Sequence, residues 1–164
     1  EPFVQSLVAF SFLLDYVPGW RNAYLPGGFI QYQSFVPADQ AFDVFRHQLE
    51  WQQAEGLEAF LGVMKLHRRD RFLFSHGVDG YSLALDFKVT PGNWDRVQRL
   101  CWRMNELVLK AGGRFYFAKD STLRPEDARA YLGDAALAKF SVLRHDLDPD
   151  GVFSTALGHR LGLV

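Results

Sequence analysis

The sequence predicts an α+β domain of ferredoxin-like type, a split βαβ antiparallel sheet with helices on one face and further helices at the C-terminus. Three observations carry that reading. Between residues 28 and 117 the patterns run strand, helix, strand, strand, helix, strand. Pro37, Gly56, Pro91 and the pair Gly112-Gly113 fall where those patterns change. The chain has 164 residues, 48% hydrophobic and 23% charged, which suits one domain with its own core. In this topology the first and third strands lie side by side at the centre.

Taken in order, residues 7–16 are apolar and poor in β-branched side chains, and periodicity does not separate a buried strand from a buried helix there. The run is too short to cross a bilayer and is closed by Asp15. Pro18-Gly19 breaks it, and Trp20, Arg21 and Tyr24 occupy an irregular segment before Pro26-Gly27-Gly28. Residues 29–36 read as a strand stopped by Pro37. Asp39 is placed to cap a helix that turns Phe42, Phe45 and Leu49 to the core and ends at Gly56. Residues 57–66 form the second strand; the charged loop His67-Arg68-Arg69-Asp70-Arg71 leads to the third, 81–89.

Thr90-Pro91 opens the second helix, with proline suited to a first turn. Trp94, Val97, Leu100, Cys101, Met104 and Val108 give it a 3.6-period apolar face. Gly112-Gly113 ends it and feeds an aromatic strand, 114–117, that delivers Lys119 to its far end. Helices follow at 125–131 and 134–147, the second with Leu137, Phe140, Leu143 and Leu147 on one face. Asp148-Pro149-Asp150-Gly151 makes a turn, and the apolar tail 152–164 is expected to dock.

Strand parity sorts the side chains. Leu83, Leu85 and Phe87 share one face, Ser82, Ala84 and Asp86 the other. Gln31, Gln33 and Phe35 oppose Ile30, Tyr32 and Ser34, and Val63 and Lys65 oppose Met64 and Leu66. With the apolar sets against the helices, Gln31, Gln33, Lys65, Ser82 and Asp86 fall on the helix-free face, with Lys119 nearby. Such a set can orient a polar ligand, or it can be the solvated face that antiparallel sheets commonly present. Lys119 likewise reads either as a lysine aimed at a ligand or as a solvated loop residue beside Asp120 and Ser121.

Other chemistries find little support. A net charge of −1 argues against a partner held through phosphates, and the central strands lack the basic-aromatic pattern of RNA-binding sheets. Aromatic residues make up 15% of the chain, which favours ring-lined surfaces. The single cysteine, Cys101, excludes an internal disulfide, fits a reducing compartment and falls on a helix core stripe. His47, His67, His76, His145 and His159 show no metal-ligand spacing, and no metal is expected. Neither a P-loop nor a dinucleotide fingerprint is present. The opening Glu1-Pro2, without an initiator methionine or basic leader, suggests a piece of a longer protein.

Five stretches together resemble one family: Phe29-Ile-Gln-Tyr-Gln-Ser-Phe-Val-Pro37, Tyr81-Ser-Leu-Ala-Leu-Asp-Phe87, Gly113-Arg-Phe-Tyr-Phe-Ala-Lys-Asp-Ser121, Leu147-Asp-Pro-Asp-Gly-Val-Phe153 and His159-Arg-Leu-Gly-Leu163. It is the FAD-linked oxidases of the vanillyl-alcohol-oxidase type. Within it the nearest look is to the decaprenylphosphoryl-ribose oxidases of arabinan synthesis, with aldonolactone and alditol oxidases further off. The Lys119-Asp120-Ser121 stretch and the Asp148 to Phe153 ending are the most specific parts.

The resemblance implies a C-terminal substrate or cap domain over residues 28–164. Residues 1–27 would then be a connecting segment from an N-terminal flavin domain of the same protein, which would bind most of the FAD. It implies that Lys119 is the catalytic lysine beside the flavin, with Tyr116 and Ala118 lining the ring. Gln31, Gln33, Lys65 and Ser82 would meet substrate. The implied reaction is oxidation of a hydroxyl on a sugar, polyol or lipid-linked sugar by hydride transfer to flavin, inactive without the flavin domain. The implied setting is cytoplasmic, with the inner membrane surface as a second location, and without nucleic acid or a transmembrane segment. Ala84 departs from the pattern, since the mycobacterial enzymes carry a pocket cysteine there, and Ser82 differs as well. The alternative from another class is a non-catalytic ligand-binding or regulatory ferredoxin-like module.

Overall fold

A computed structural model describes residues 4–12 and 17–164; Glu1-Pro2 and the Asp15 end of the first apolar run lie outside them. The start of that run is helical. Helix α1, Leu7–Ser11, has the Ser6 hydroxyl accepting from the Ala9 N–H at 3.1 Å, and none of its residues is buried. A 3-10 helix, Trp20–Tyr24, follows and buries Tyr24.

The sheet has the expected topology. Strands β1 (Phe29–Pro37), β2 (Leu61–His67), β3 (Gly80–Lys88) and β4 (Arg114–Phe115) stand in the order β2-β3-β1-β4, every neighbouring pair antiparallel. β1 and β3 pair along their whole length, with Tyr32 opposite Leu85 and Gln33 opposite Ala84. Helices α2 (Ala38–Ala54) and α3 (Trp94–Lys110) pack on the face that carries Ile30, Tyr32, Val36, Leu83, Leu85 and Phe87. α4 (Pro125–Leu132), α5 (Asp134–Leu147) and α6 (Ala156–Leu161) complete the chain.

Helix α3 follows its sequence pattern: Val97, Leu100, Cys101, Met104 and Val108 are all buried, although Trp94 remains half exposed. It begins at Trp94, with Pro91 in the turn before it rather than in its first turn. Helix α2 is rotated from the expected setting. Its buried face is Ala41, Val44, Phe45, Gln48 and Gln52, while Phe42 is 78% exposed and Leu49 is also outside the core. Polar partners explain the rotation. Gln48 Nε2 donates to Ser34 Oγ at 3.2 Å on the core side of β1, and Gln52 Oε1 accepts from the Ala59 N–H at 2.7 Å. Buried amides that are satisfied in this way cost little, so the helix can turn a polar edge inward. Asp39 lies in the first turn of α2 but makes no side-chain cap; the N-cap position is Pro37.

Two other boundaries move, and one helix face lies outside the core. β2 begins at Leu61 because Leu57 leaves the strand to enter the core. β4 stops at Phe115, and the chain turns through a 3-10 helix, Phe117–Lys119, so Lys119 sits on a turn rather than at a strand end. α5 has no buried residue; Leu143 and Leu147 of its expected apolar face are exposed. The tail docks through Gly158 and Leu161, while Val152 and Phe153 stay outside.

The Gly112-Gly113 pair sets where β4 starts. Gly112 has φ +70°, which favours glycine, and a Cβ on Gly113 would lie 2.6 Å from the Phe35 carbonyl oxygen. Only glycine lets α3 end this close to the centre of the sheet.

Candidate functional site

The face opposite α2 and α3 is covered by side chains of its own. In register, Leu61, Val63, Lys65 and His67 of β2 meet Asp86, Ala84, Ser82 and Gly80 of β3, which meet Gln31, Gln33, Phe35 and Pro37 of β1. Gln31, Gln33, Lys65 and Ser82, all expected to share one face, do so. Ser82 is 0% exposed, Phe35 1% and Asp86 3%, while Gln31 and Gln33 are half-buried and Lys65 is exposed, so the face is covered in part. Two flaps account for the burial. Tyr24 of the N-terminal 3-10 helix packs on Phe29 and Phe60 at one end, with ring centroids 4.6 and 5.5 Å away. The loop 68–79 closes the other end by laying His76 on Phe35, centroids 4.6 Å apart.

One half of the face gathers charge. Gln31 Nε2 donates to Asp86 Oδ1 at 2.7 Å. Burial raises the Asp86 pKa, against the opposing pull of Gln31, Lys119 and Tyr24. Burial likewise lowers the Lys119 pKa, assisted by repulsion from Lys65 and opposed by Asp86. Among the described residues neither Lys65 nor Lys119 forms a salt bridge. Lys119 thus lies between the like charge of Lys65 and the carboxylate of Asp86, and the surplus positive charge is available to a ligand.

The other half is a relay whose histidine, His67, sequence reading did not single out. Gln33 Nε2 donates to Ser82 Oγ at 3.2 Å, and His67 Nε2 lies 2.8 Å from the same oxygen. The His67 ring meets Phe35 edge to face, centroids 4.8 Å apart. Burial, then the neighbouring His76 and Lys65, lower the His67 pKa, which favours the neutral imidazole. Continuing the parity of Val63 and Lys65 by two residues would have found it, because side chains two apart share a face.

The turn that carries Lys119 is held from behind. Asp120 Oδ1 accepts from the N–H groups of Thr122 and Leu123, each at 2.9 Å. Arg160 of α6 donates to Asp120 Oδ2 and also reaches the Asp120 and Leu123 carbonyls. Tyr116, just before the turn, stacks at a tilt on His76 with centroids 4.7 Å apart, and Ala118 is exposed on the turn itself. Tyr116 thus joins the relay half, and Lys119 the charged half.

Among the described residues no group of acidic, histidine and cysteine side chains is placed to hold a metal ion. No helix there is long and apolar enough to cross a membrane. An apolar groove of about 540 Å³ lies elsewhere, between α2 and the edge of the sheet, lined by Phe42, Phe45, Leu49, Met64 and Tyr81.

No family model matches the chain. Comparison with curated sequences does find relatives. The chain is 34% identical over 162 residues to the decaprenylphosphoryl-β-D-ribose oxidase of Mycolicibacterium smegmatis, which covers 98% of this chain and 34% of the oxidase. It is also 34% identical over 129 residues to an uncharacterized protein in the mprA 5′ region of Streptomyces coelicolor, covering 74% of this chain and 32% of that protein. The chain spans about a third of the length of these relatives. The resemblance to an oxidase read from short motifs thus extends over nearly the whole chain.

Proposed function

We propose that this chain is the substrate domain of an FAD-dependent oxidoreductase that oxidises a CH–OH group of a sugar, polyol or lipid-linked sugar. The observation that carries the reading is the similarity to an oxidase along 98% of the chain. In this reading residues 28–164 form the substrate domain, and residues 1–27 connect it to an FAD-binding domain of the same protein.

The residues present fit a flavin. The surplus cationic charge of Lys119 and Lys65 suits a ring system that becomes more negative on reduction, and Tyr116 offers an aromatic wall beside it. Lys119, Tyr116 and Ala118 are the residues that would hold the ring. When bound, FAD supplies the two-electron redox chemistry.

The remaining work falls to the chain. Gln31, fixed by Asp86, and Gln33, fixed by Ser82, present amide oxygens and nitrogens that orient substrate hydroxyls. As a cation, Lys119 stabilises negative charge that develops beside its Nζ. Burial lowers its pKa, which brings the neutral amine, a base for the hydroxyl proton, closer in energy. Tyr24 and the loop 68–79 limit water at the two ends of the face.

The test is to express the longer polypeptide that contains this chain and mix it anaerobically with sugars and polyols. Yellow protein whose flavin absorption bleaches with a sugar supports the reading. A colourless protein that binds a small ligand without redox change would instead make it a binding module.

A further inference from the structure

From the relay on the open face we infer that His67 is a specificity-determining residue, donating a hydrogen bond from Nδ1 to one hydroxyl of the substrate. The inference rests on the sugar-oxidising reading above and adds a residue and a direction of hydrogen bonding to it.

Ser82 fixes the direction of these hydrogen bonds. Its hydroxyl is fully buried and has two neighbours, Gln33 Nε2 at 3.2 Å and His67 Nε2 at 2.8 Å. The Gln33 amide nitrogen can only donate, so Ser82 Oγ accepts there. If Oγ also accepted from His67, its own proton would be buried with no acceptor among the described residues. Such an orphan is costly. Ser82 therefore donates to His67 Nε2. A neutral imidazole that accepts at Nε2 carries its proton on Nδ1.

That Nδ1–H has no partner among the described residues, and the imidazole is only partly buried. The ring is held by Phe35 on one side and by Ser82 at its far nitrogen, so its orientation is set before a ligand arrives. His67 follows Lys65 by two positions on the same face, roughly 7 Å along the strand. A ligand that reaches Lys65 and Gln33 lies within range of it. Lowered basicity keeps the imidazole neutral near pH 7, in the tautomer that donates.

The groups facing His67 are His76 and Lys65, both of which disfavour its protonation, and the uncharged Ser82 and Phe35. No carboxylate hydrogen-bonds to it among the described residues. It is therefore suited to read a substrate oxygen rather than to act as a proton carrier.

Two measurements test this. In the ¹⁵N-histidine-labelled chain at neutral pH, the long-range NMR pattern of His67 should be that of the Nδ1–H tautomer, and Ser82→Ala should abolish its dominance. An Nε2–H tautomer in the wild type would overturn the donor assignment whatever the enzyme does. In the full-length FAD-loaded protein, the probes are methyl β-D-ribofuranoside and its 2-, 3- and 5-deoxy analogues, with kcat/KM measured for each. Among the analogues that keep the oxidised CH–OH, wild type should prefer the parent over one by at least about tenfold. His67→Phe should reduce that preference to within about threefold while leaving the other analogues ranked as before. His67→Asn, whose amide overlaps Nδ1, should keep the preference; His67→Gln, whose amide overlaps Nε2, should not. A His67→Phe enzyme that keeps the wild-type preference overturns the inference alone. A flavin-loaded wild type reduced by none of the four overturns the sugar reading, and the inference with it.

Discussion

Arg160 donates from Nη2 to Asp120 Oδ2 at 2.7 Å, joining helix α6 to the turn that carries Lys119. Asp120 is nearly buried, whereas Arg160 is about a third exposed. The pair is a brace, since Asp120 also accepts two backbone N–H groups that shape the turn. Removing the guanidinium leaves Asp120 without its charged partner but with those two donors. Arg160→Ala should therefore destabilise the fold by about 1.5–3 kcal/mol, the range of a hydrogen bond to a charged group. Urea unfolding of the chain measures this. A loss below about 0.5 kcal/mol would mean that the turn holds itself.

In the proposed oxidation, Lys119 is the residue on which the chemistry depends most. If its Nζ stabilises charge that forms only during oxidation, removal should slow the chemical step and spare binding. In the full-length protein, Lys119→Ala should retain FAD and slow flavin reduction by at least about a hundredfold. Lys119→Arg should restore only part of the rate, because a guanidinium is larger and does not give up its proton. Single-turnover stopped flow decides. An alanine variant within a few-fold of wild type would make Lys119 a bystander.

The 164-residue chain by itself should fold and yet bind FAD weakly. Its motifs include no phosphate-cradling loop, and the diphosphate is what such loops and helix N-termini hold. Purified chain should be colourless. Isothermal titration that returns a sub-micromolar Kd would contradict this.

His67 gives the stability a pH dependence. Its folded pKa lies below the ordinary value of 6.5, so the unfolded state binds the proton more readily. Stability from the neutral ring is fully present above 6.5 and is lost as pH falls below that value towards the folded pKa. Thermal melts on either side of 6.5 should show the decline, and His67→Phe should flatten it. An equal slope in the variant would assign the effect elsewhere.

Much of the fold could be read from the chain because alternation and helical periodicity agree with it. Leu83, Leu85 and Phe87 fell on one side and Ser82, Ala84 and Asp86 on the other, and the register preserves that division. The rotation of α2 was not legible. Nothing in its own sequence shows that Gln48 will find Ser34, or Gln52 the Ala59 N–H, and apolar Phe42 and Leu49 looked the better core. The short β4 escaped for a related reason: aromatic Tyr116 and Phe117 suit a strand, but the chain leaves the sheet to make the Lys119 turn. Of the site, the amides, Lys65 and Ser82 could be placed by parity. His67 follows the same parity two residues past Lys65, whereas His76 depends on how the loop 68–79 folds back onto Phe35, which is a long-range contact.

Cys101 sits at 0% exposure in the middle of α3, and burial pushes its thiol pKa well above the usual range. Alkylating reagents attack the thiolate, so in the folded chain both access and ionisation protect it. As the only cysteine, it gives a single chemical readout of how often the helix lifts off the sheet. Iodoacetamide added under native conditions should modify it only as fast as the core opens, one mass increment per chain. Comparing that rate for the wild type and Arg160→Ala would show whether the Lys119 turn and the core breathe together or separately.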